Sequence, residues 1–360
     1  MKLQNPFSPY KALVLLVLFS LSACNNDDNS GTPIEESRFV WKKIGLNGLK
    51  INKLLLEDTF LYAVTEDGIY RKNSVDDSSF QPIGLQGLNI EDVVVFSPNE
   101  LLASVADFQE DIAIHIATTN DGGQNWQVLE SDFGGGFDPH IVWDFLKAQN
   151  SEDNLYATSN YVVAKSTNKG VHWTPIWGDW DQFARATSVV AINPLLPNEI
   201  WLGGQGGIED GYLIRLNGDT EANRWTDLVP NPTTVKNITF DTQNPQSIYV
   251  GFEGALLKTS NNGQSWQTLI DEHESARFFN GIVLSKLDVN KVYTSGWLKT
   301  DEPQPLLLYY STDAGTTWKQ EIFTEEPFGG VEDMVMATIG NQEHLFLALN
   351  KGGVYEVIEK

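Results

Sequence analysis

Cysteine, histidine and basic residues are scarce in this chain of 360 residues. Because Cys24 is the single cysteine, an intramolecular disulfide is excluded and the fold must be held by its apolar core. Five histidines show no metal-ligand spacing, so we expect no metal site and no other cofactor. Against 24 basic residues stand 48 acidic ones, and the resulting net charge of -24 argues against a nucleic-acid partner.

The chain also lacks an apolar run long enough to span a membrane. Residues 12–21 are apolar, but a spanning helix needs about 20 residues. This run follows a basic N-terminus and ends in Leu21-Ser22-Ala23-Cys24, which resembles the lipobox of bacterial lipoproteins. The resemblance implies that residues 1–23 are a lipoprotein signal peptide and that lipidated Cys24 anchors the protein to a membrane. An ordinary secretory signal is the alternative.

Residues 24–37 are polar and show no apolar periodicity, which predicts a flexible tether. The pair Asp27-Asp28 close behind the cysteine resembles the surface-export signal of Bacteroidota lipoproteins. That resemblance implies an outer-membrane lipoprotein exposed at the cell surface. Attachment facing the periplasm is the alternative.

A turn motif, Ser/Thr-x-Asp/Asn-x-Gly-x-x-Trp, repeats through the rest of the chain. Its Asp or Asn accepts hydrogen bonds from the turn backbone, its Gly permits positive φ, and its Trp opens the next strand and packs on a neighbouring blade. The motif resembles the Asp box, or BNR repeat, of sialidase-type propellers, and its duties are structural. The four copies run from Thr119 to Trp126, Ser166 to Trp173, Thr259 to Trp266 and Ser311 to Trp318.

From Phe80 onward, the aromatic residue at the end of each motif recurs every 41 to 52 residues, a spacing typical of four-stranded propeller blades. Two further blades lack the full motif but keep the aromatic. The last blade lacks an outermost strand, and residues 39–44, which contain Trp41, supply one. Residues 38–360 are therefore predicted to form an all-β, seven-bladed propeller closed by the N-terminal strand. The aromatic series is Trp41, Phe80, Trp126, Trp173, Trp225, Trp266 and Trp318.

The repeats and the blade length are similar to a superfamily that holds sialidases, xyloglucan-cleaving endoglucanases, sortilin-type receptors and photosystem II assembly-factor propellers. This resemblance implies the fold and leaves the activity open. The Arg-Ile-Pro signature of sialidases is missing, the xyloglucan enzymes pair two propellers where this chain has length for one, and sortilin-type receptors add a cysteine-rich module. The assembly-factor-like group is the nearest single-domain resemblance.

In a propeller, the connections that enter the inner strands share one face with those that join second to third strands, and ligands bind on this loop face. Aromatic rings beside charged groups are suited to stacking on a sugar and bonding its hydroxyls. For Trp177 and Trp180, packing inside the blades is the alternative. The candidate ligand-binding residues are His140, Asp144, Trp177, Trp180, Asp181, Arg185, Arg277 and Phe278.

A glycosidase needs two carboxyl groups about 5 to 10 Å apart across the scissile bond. Asp181 and Asp333 are the catalytic candidates on the loop face. We expect a lipid-anchored envelope or cell-surface propeller that binds a glycan or a partner envelope protein without catalysis. A glycoside hydrolase or lyase that acts on polysaccharide through loop-face carboxylates is the alternative.

Overall fold

The computed structural model describes residues 37–74, 79–106, 116–133, 141–148, 151, 153–180 and 186–360. Within these ranges the chain forms strands and turns, and no helix is long and apolar enough to cross a membrane. Residues Ser37–Lys360 make one compact unit.

The strands form seven antiparallel sheets of four, and each sheet is one blade of a propeller. The chain starts with β1 (Phe39–Gly45). Blade 1 contains β2 (Ile51–Glu57), β3 (Phe60–Thr65), β4 (Gly68–Lys72) and β5 (Gln81–Gly84). Blade 2 contains β6 (Ile90–Val95), β7 (Leu101–Val105), β8 (Ile116–Thr119) and β9 (Gln127–Val128). Blade 3 contains β10 (Asp144–Lys147), β11 (Leu155–Ser159), β12 (Val162–Ser166) and β13 (Thr174–Gly178).

The remaining four blades continue in the same order. Blade 4 contains β14 (Ala186–Ile192), β15 (Glu199–Gln205), β16 (Gly211–Asn217) and β17 (Thr220–Trp225). Blade 5 contains β18 (Val235–Phe240), β19 (Ile248–Phe252), β20 (Ala255–Thr259) and β21 (Gln267–Asp271). Blade 6 contains β22 (Arg277–Leu284), β23 (Val292–Leu298), β24 (Leu306–Ser311) and β25 (Lys319–Phe323). Blade 7 contains β26 (Val331–Ile339), β27 (Gln342–Leu349), β28 (Gly353–Glu359) and, as its outermost strand, β1.

The core lies between neighbouring blades. Second strands such as β7 and β19 are buried along their whole length, because both faces of each blade pack against another blade. Trp201 of blade 4 is fully buried, and its ring stacks on Trp225 at a centroid distance of 5.3 Å. Both rings pack in one cluster with Trp266 of blade 5. The core is thus a series of interblade clusters.

The ring closes through its two ends, as the sequence predicts. Strand β1 pairs antiparallel with β28 in the register Phe39↔Glu359 to Lys43↔Tyr355. The Trp41 ring then stacks on Phe323 of blade 6 at 5.1 Å. The prediction of a seven-bladed propeller closed by its N-terminal strand is confirmed.

The four repeated turns connect third to outermost strands and share one hydrogen-bond pattern. In the turn after β8, the Gly123 N–H donates to Thr119 Oγ1 at 3.1 Å and the Asn125 N–H donates to Asp121 Oδ1 at 2.9 Å. The corresponding bonds recur in the other three turns. The Trp126 indole N–H donates to Ile83 O of blade 1 at 2.9 Å, which confirms the predicted interblade packing.

The inner strands begin earlier than their apolar runs suggest. The runs that start at Val93, Val189 and Ile282 predict these strands, whereas β6, β14 and β22 start at Ile90, Ala186 and Arg277. The extra residues include polar ones that line the central channel, Glu91, Ser188 and Asn280, and these interrupt the apolar pattern. They form the candidate site.

Candidate functional site

Six inner strands carry an irregularity at the same place. In blades 1, 2, 4, 5, 6 and 7 the register against the second strand shifts near the start of the inner strand, which leaves one residue out of the pairing, or two in blade 6. Trp143 precedes β10 at the matching point of blade 3. These seven positions form the mouth ring: Asn52, Glu91, Trp143, Ser188, Lys236, Asn280 and Glu332.

The next residue of each inner strand belongs to a second ring, one step further along the channel. Together with Lys50 and Trp297, side chains of both rings line a cavity of about 350 Å³. The inner strands are entered from the loop face, so this cavity is the mouth of the channel on that face. The inner ring is Lys53, Asp92, Asp144, Val189, Asn237, Gly281 and Asp333.

Hydrogen bonds between neighbouring blades hold the mouth ring in place. The Asn52 side-chain amide donates to Ile90 O at 2.6 Å, and the Ser188 hydroxyl donates to Val235 O at 2.5 Å. The Asn280 amide donates to Val331 O at 3.2 Å. Each bond joins one blade to the next, so the polar lining is set by the ring of blades itself.

Lys53 is the centre of a charge cluster in the inner ring. Its ammonium lies 2.5 Å from Asp92 Oδ2 and 2.7 Å from Asp144 Oδ1. Burial alone would lower the pKa of Lys53, but the attraction of the two carboxylates raises it well above its usual range. Asp92 is fully buried, and burial raises its pKa against the opposing pull of Lys53. Lys53 thus forms ion pairs with both Asp92 and Asp144.

Two further carboxyl groups belong to blade 7. Asp333 accepts backbone N–H bonds from Leu54 and Met334, each at 2.8 Å, while burial raises its pKa to about 6. Glu332 accepts the Asn350 amide at 2.6 Å, and burial raises its pKa as well. Both carboxyl groups are therefore held by amide donors.

Aromatic and cationic side chains complete the mouth. Trp143 and Trp297 line the cavity and are partly exposed. The Trp297 ring packs on Phe278 at 5.8 Å, and its N–H donates to Thr300 O at 3.2 Å. The Lys236 ammonium lies 5.1 Å from the Phe278 ring centroid. Indole faces, amides and ammonium groups around one cavity are suited to binding a polyhydroxylated ring.

The structure brings two of the predicted site residues to the channel and places four elsewhere. Asp144 and Asp333 both line the mouth cavity. Trp177 lies on the outermost strand β13, where its ring packs against Tyr161 at 4.6 Å, so it is a strand residue rather than a loop platform.

Three further candidates are buried. Trp180 is 4% exposed and meets Phe133 edge to face at 5.1 Å. Arg277 and Phe278 begin the inner strand β22 and are buried, at 5% and 3% exposure. Packing within the propeller covers these side chains. For Trp180 this agrees with the alternative interpretation of the sequence, in which its ring packs inside the blades.

The remaining predicted residues, His140, Asp181, Arg185 and Cys24, lie outside the described residues. Conversely, the sequence reading missed most of the mouth ring, including Asn52 and Lys236. An alignment of the seven blades on their aromatic spacing would have found them, because in every blade a buried residue at or near the start of the inner strand is followed by two channel positions.

A second cavity of about 380 Å³ lies between blades 6 and 7, at the strand ends away from the loop face. Its charged groups pair with each other: Glu359 accepts from Lys291 at 2.9 Å and from Tyr293 at 3.0 Å. Across the described ranges, no group of three or more His, Cys, Asp or Glu side chains is arranged to hold a metal ion. The channel mouth is therefore the better candidate for a ligand site.

This architecture defines the chain as a seven-bladed β-propeller with a polar, aromatic-lined channel mouth. No family model matches the chain. One curated protein, a probable oligoxyloglucan-reducing end-specific xyloglucanase from Neosartorya fischeri, is 29% identical over 82 residues, which are 22% of this chain and 10% of that protein. The chain thus spans a small part of this relative.

Solved structures share the fold at low identity. The GH74 xyloglucanase from Xanthomonas campestris has a TM-score of 0.65 and 14% identity over 88% of this chain and 53% of its own. The extracellular domain of a putative one component system from B. thetaiotaomicron has a TM-score of 0.63 and 14% identity over 89% and 39%. YCF48 from Cyanidioschyzon merolae has a TM-score of 0.58 and 12% identity over 89% and 98%. This chain therefore spans about half of the xyloglucanase and nearly all of YCF48.

Proposed function

We propose that this protein is a lipid-anchored propeller of the bacterial envelope that binds a glycan at the mouth of its central channel. The observation that supports this most is the cavity of about 350 Å³ in which Trp143 and Trp297 stand among amide and ammonium donors. Such a volume suits one or two sugar rings, and indole faces stack on their C–H surfaces. The xyloglucanases among the similar proteins act on a glycan and fit this proposal.

The carboxylates of the channel already have ion-pair or hydrogen-bond partners in its wall, which favours binding over catalysis. Asp92 and Asp144 are paired with Lys53, and Asp333 is held by two backbone N–H groups. A glycosidase needs one protonated and one ionised carboxyl group facing each other across the bond that breaks. The described carboxylates of the inner ring are instead occupied by the wall of the channel.

One observation favours a second candidate function, glycoside hydrolysis. The pKa of Asp333 is raised to about 6 by burial, which is the range of a general acid, and the ionised Asp144 lies near enough to contribute to that shift. Sugar release by the wild-type protein that disappears in Asp333→Asn, or in Asp181→Asn, would establish this alternative. Binding without release of product would support the binding proposal.

A tryptophan pair locates the site. The full-length protein is screened for binding to neutral and acidic oligosaccharides, and Trp297→Ala is compared with Trp177→Ala. Trp297 lines the mouth, whereas Trp177 packs on the outer strand of blade 3. We expect Trp297→Ala to lower affinity at least about tenfold and Trp177→Ala to leave it unchanged. Loss of binding in Trp177→Ala alone would move the site to the rim of blade 3.

A partner protein is the other occupant that fits the loop face. YCF48, a propeller of similar length, has a solved structure whose name describes it as bound to D1 peptide, with a TM-score of 0.60 and 13% identity over 91% of this chain and 99% of its own. Cross-linking at position 297 in cells separates the two occupants. Transfer of the label to one envelope protein, with no glycan bound in the screen, would replace the glycan proposal with a protein partner.

The anchoring is proposed from Cys24 and the tether of residues 24–37. Incorporation of labelled palmitate by the wild-type protein and its loss in Cys24→Ala would support lipidation. Protease treatment of intact cells distinguishes a surface-exposed propeller from one that faces the periplasm. An unlabelled, freely secreted wild-type protein would contradict the anchor.

A further inference from the structure

Two lysines of the channel mouth lack the side-chain hydrogen-bond partners that its carboxylates have. Glu332 accepts amide hydrogen bonds from Asn350 and Asn280, and Glu91 accepts one from Asn89. For the ammonium groups of Lys236 and Lys50, the described part of the chain provides neither a hydrogen-bond acceptor nor a carboxylate within ion-pair distance. Lys236 and Lys50 therefore bring unpaired positive charge to the mouth, where two uncharged atoms, Trp143 Nε1 and Asn52 Oδ1, also lack a hydrogen-bond partner among the described residues.

The surroundings of Lys236 add to this imbalance. Phe278 lies below its ammonium, and Lys299 approaches the same ring to 5.7 Å. Burial lowers the pKa of Lys236, and the charges of Lys299 and Lys50 act in the same direction, against the attraction of Glu332 and Glu253. Lys236 is partly buried, and a partly buried ammonium without an ion pair costs free energy. Its position at a cavity wall points to an anion that arrives from outside.

We propose that the channel mouth binds a carboxylate-bearing sugar, a uronic acid residue, with the carboxylate between Lys236 and Lys50 and the sugar ring against Trp297. This inference rests on the proposed glycan-binding function and adds the charge of the ligand to it. Charge-assisted hydrogen bonds from two ammonium groups would select the acid over the neutral hexose of the same configuration. The cavity of about 350 Å³ provides room for such a residue.

Matched ligands test the charge. Oligogalacturonides and oligoglucuronides are compared with their carboxyl-reduced forms, which keep the ring configuration and lose the charge, by calorimetry with the full-length protein. We expect one acidic series to bind about 10- to 100-fold more tightly than its reduced form, and raised salt to reduce that ratio. Equal affinity for acid and reduced forms would overturn the charge inference and leave the glycan-binding function standing.

Matched variants test the residues. Lys236→Met and Lys50→Met should each weaken binding of the acidic form at least about tenfold and leave binding of the reduced form unchanged. Lys42→Met, on the outermost strand β1 with a side chain that is 69% exposed, is the control and should bind normally. Lys236→Met should melt no lower than wild type, because a methionine carries no charge to bury. A large fall in its melting temperature would instead indicate a structural lysine and overturn the assignment.

A third ligand tests for a protein partner in case no oligosaccharide binds. A peptide with a free C-terminal carboxylate offers the same anion without a sugar ring. If neither form of any oligosaccharide binds, the glycan function and the uronate inference both fail. Binding of the peptide, lost in Lys236→Met, would then assign the mouth to a protein terminus.

Discussion

The ammonium of Lys53, on the inner strand of blade 1, lies 2.7 Å from the carboxylate of Asp144 on the inner strand of blade 3. Asp92 of blade 2 stands between them at 2.5 Å from the same ammonium. The two carboxylates also accept backbone N–H bonds from the blades that follow them, Asp92 from Phe145 and Asp144 from Val190. One lysine thereby connects three consecutive blades through the channel wall.

Removal of this lysine should destabilise the ring in a pH-dependent way. Lys53→Met leaves Asp92 fully buried without its cation, and breaking a buried pair on one side costs about 3 to 5 kcal/mol. The pKa of Asp92 is already raised by burial and rises further in the variant, so the folded state retains a proton that the unfolded chain loses. The free energy of unfolding therefore falls as pH increases, and the deficit should be larger at pH 8 than at pH 5.

Urea unfolding at the two pH values measures this difference. Lys42→Met is the matched control, because the Lys42 side chain is 69% exposed and its partner Glu356 keeps a contact with His344 at 2.7 Å, so the loss should cost less than about 1 kcal/mol at either pH. A deficit in Lys53→Met that is small and equal at both pH values would show that the cluster does not support the channel wall.

Asp333 should contribute a second pH dependence of the same sign. Its pKa is about 6 in the folded protein against an ordinary 3.8, because the carboxyl group is buried. Between these values the folded state holds more protons than the unfolded chain, so ionisation of Asp333 costs stability as pH rises through this window, by up to about 3 kcal/mol. Asp333→Asn should remove that decline. The free energy of unfolding of the variant, relative to that of wild type, should therefore increase from pH 4 to pH 7.

A second aspartate provides the control for this measurement. Asp313 sits in an exposed repeated turn, where hydrogen bonds from Thr317 lower its pKa to about 2. Asn occupies the same motif position at residues 168 and 261, so Asp313→Asn fits the turn. Asp313→Asn should leave the decline between pH 4 and pH 6 intact, and its disappearance there would contradict the assignment to Asp333.

The glycines of the repeated turns should be intolerant of a side chain. Gly123 has φ of +90°, and a Cβ at this position would lie 1.9 Å from Ile83 O of blade 1. Gly123→Ala should therefore cost at least about 3 kcal/mol, since backbone strain and overlap with the neighbouring blade add. Gly218→Ala, with φ of +64° and nothing within 4 Å of the added Cβ, should cost about 1 kcal/mol. Equal melting temperatures for both variants would refute the interblade role.

The fold was predictable because its signals are local and repeated. The motif that ends at Trp126 predicts a hairpin, and the spacing from Trp41 to Trp318 predicts the number of blades. The site was less predictable, because its residues come from seven separate blades and each blade contributes only one to three side chains. Lys236 looks like a solvated residue at a strand start until the ring of blades brings it to the same cavity as Lys50.

Aromatic side chains misled the sequence reading for a related physical reason. Trp180 and Phe278 are aromatic residues beside polar ones, as in a surface that stacks on a sugar. Burial of a large ring inside the propeller is also favourable, and both rings are buried here. Sequence alone does not distinguish the two, since both uses place an aromatic residue beside polar ones near a strand end. Trp297 differs in keeping part of its ring exposed in the cavity.

Closure of the ring by β1 should decide whether the propeller folds at all. Without residues 37–45, blade 7 exposes the hydrogen-bonding edge of β28, and Phe323 of blade 6 loses the ring of Trp41. We expect this deletion to aggregate, whereas removal of residues 25–36, which precede the compact unit, should leave the melting temperature unchanged. Trp41→Ala isolates the packing contribution and should cost about 2 kcal/mol, while Trp41→Phe should retain most of the stack. A monomeric deletion variant that melts like wild type would show that the blades hold together without closure.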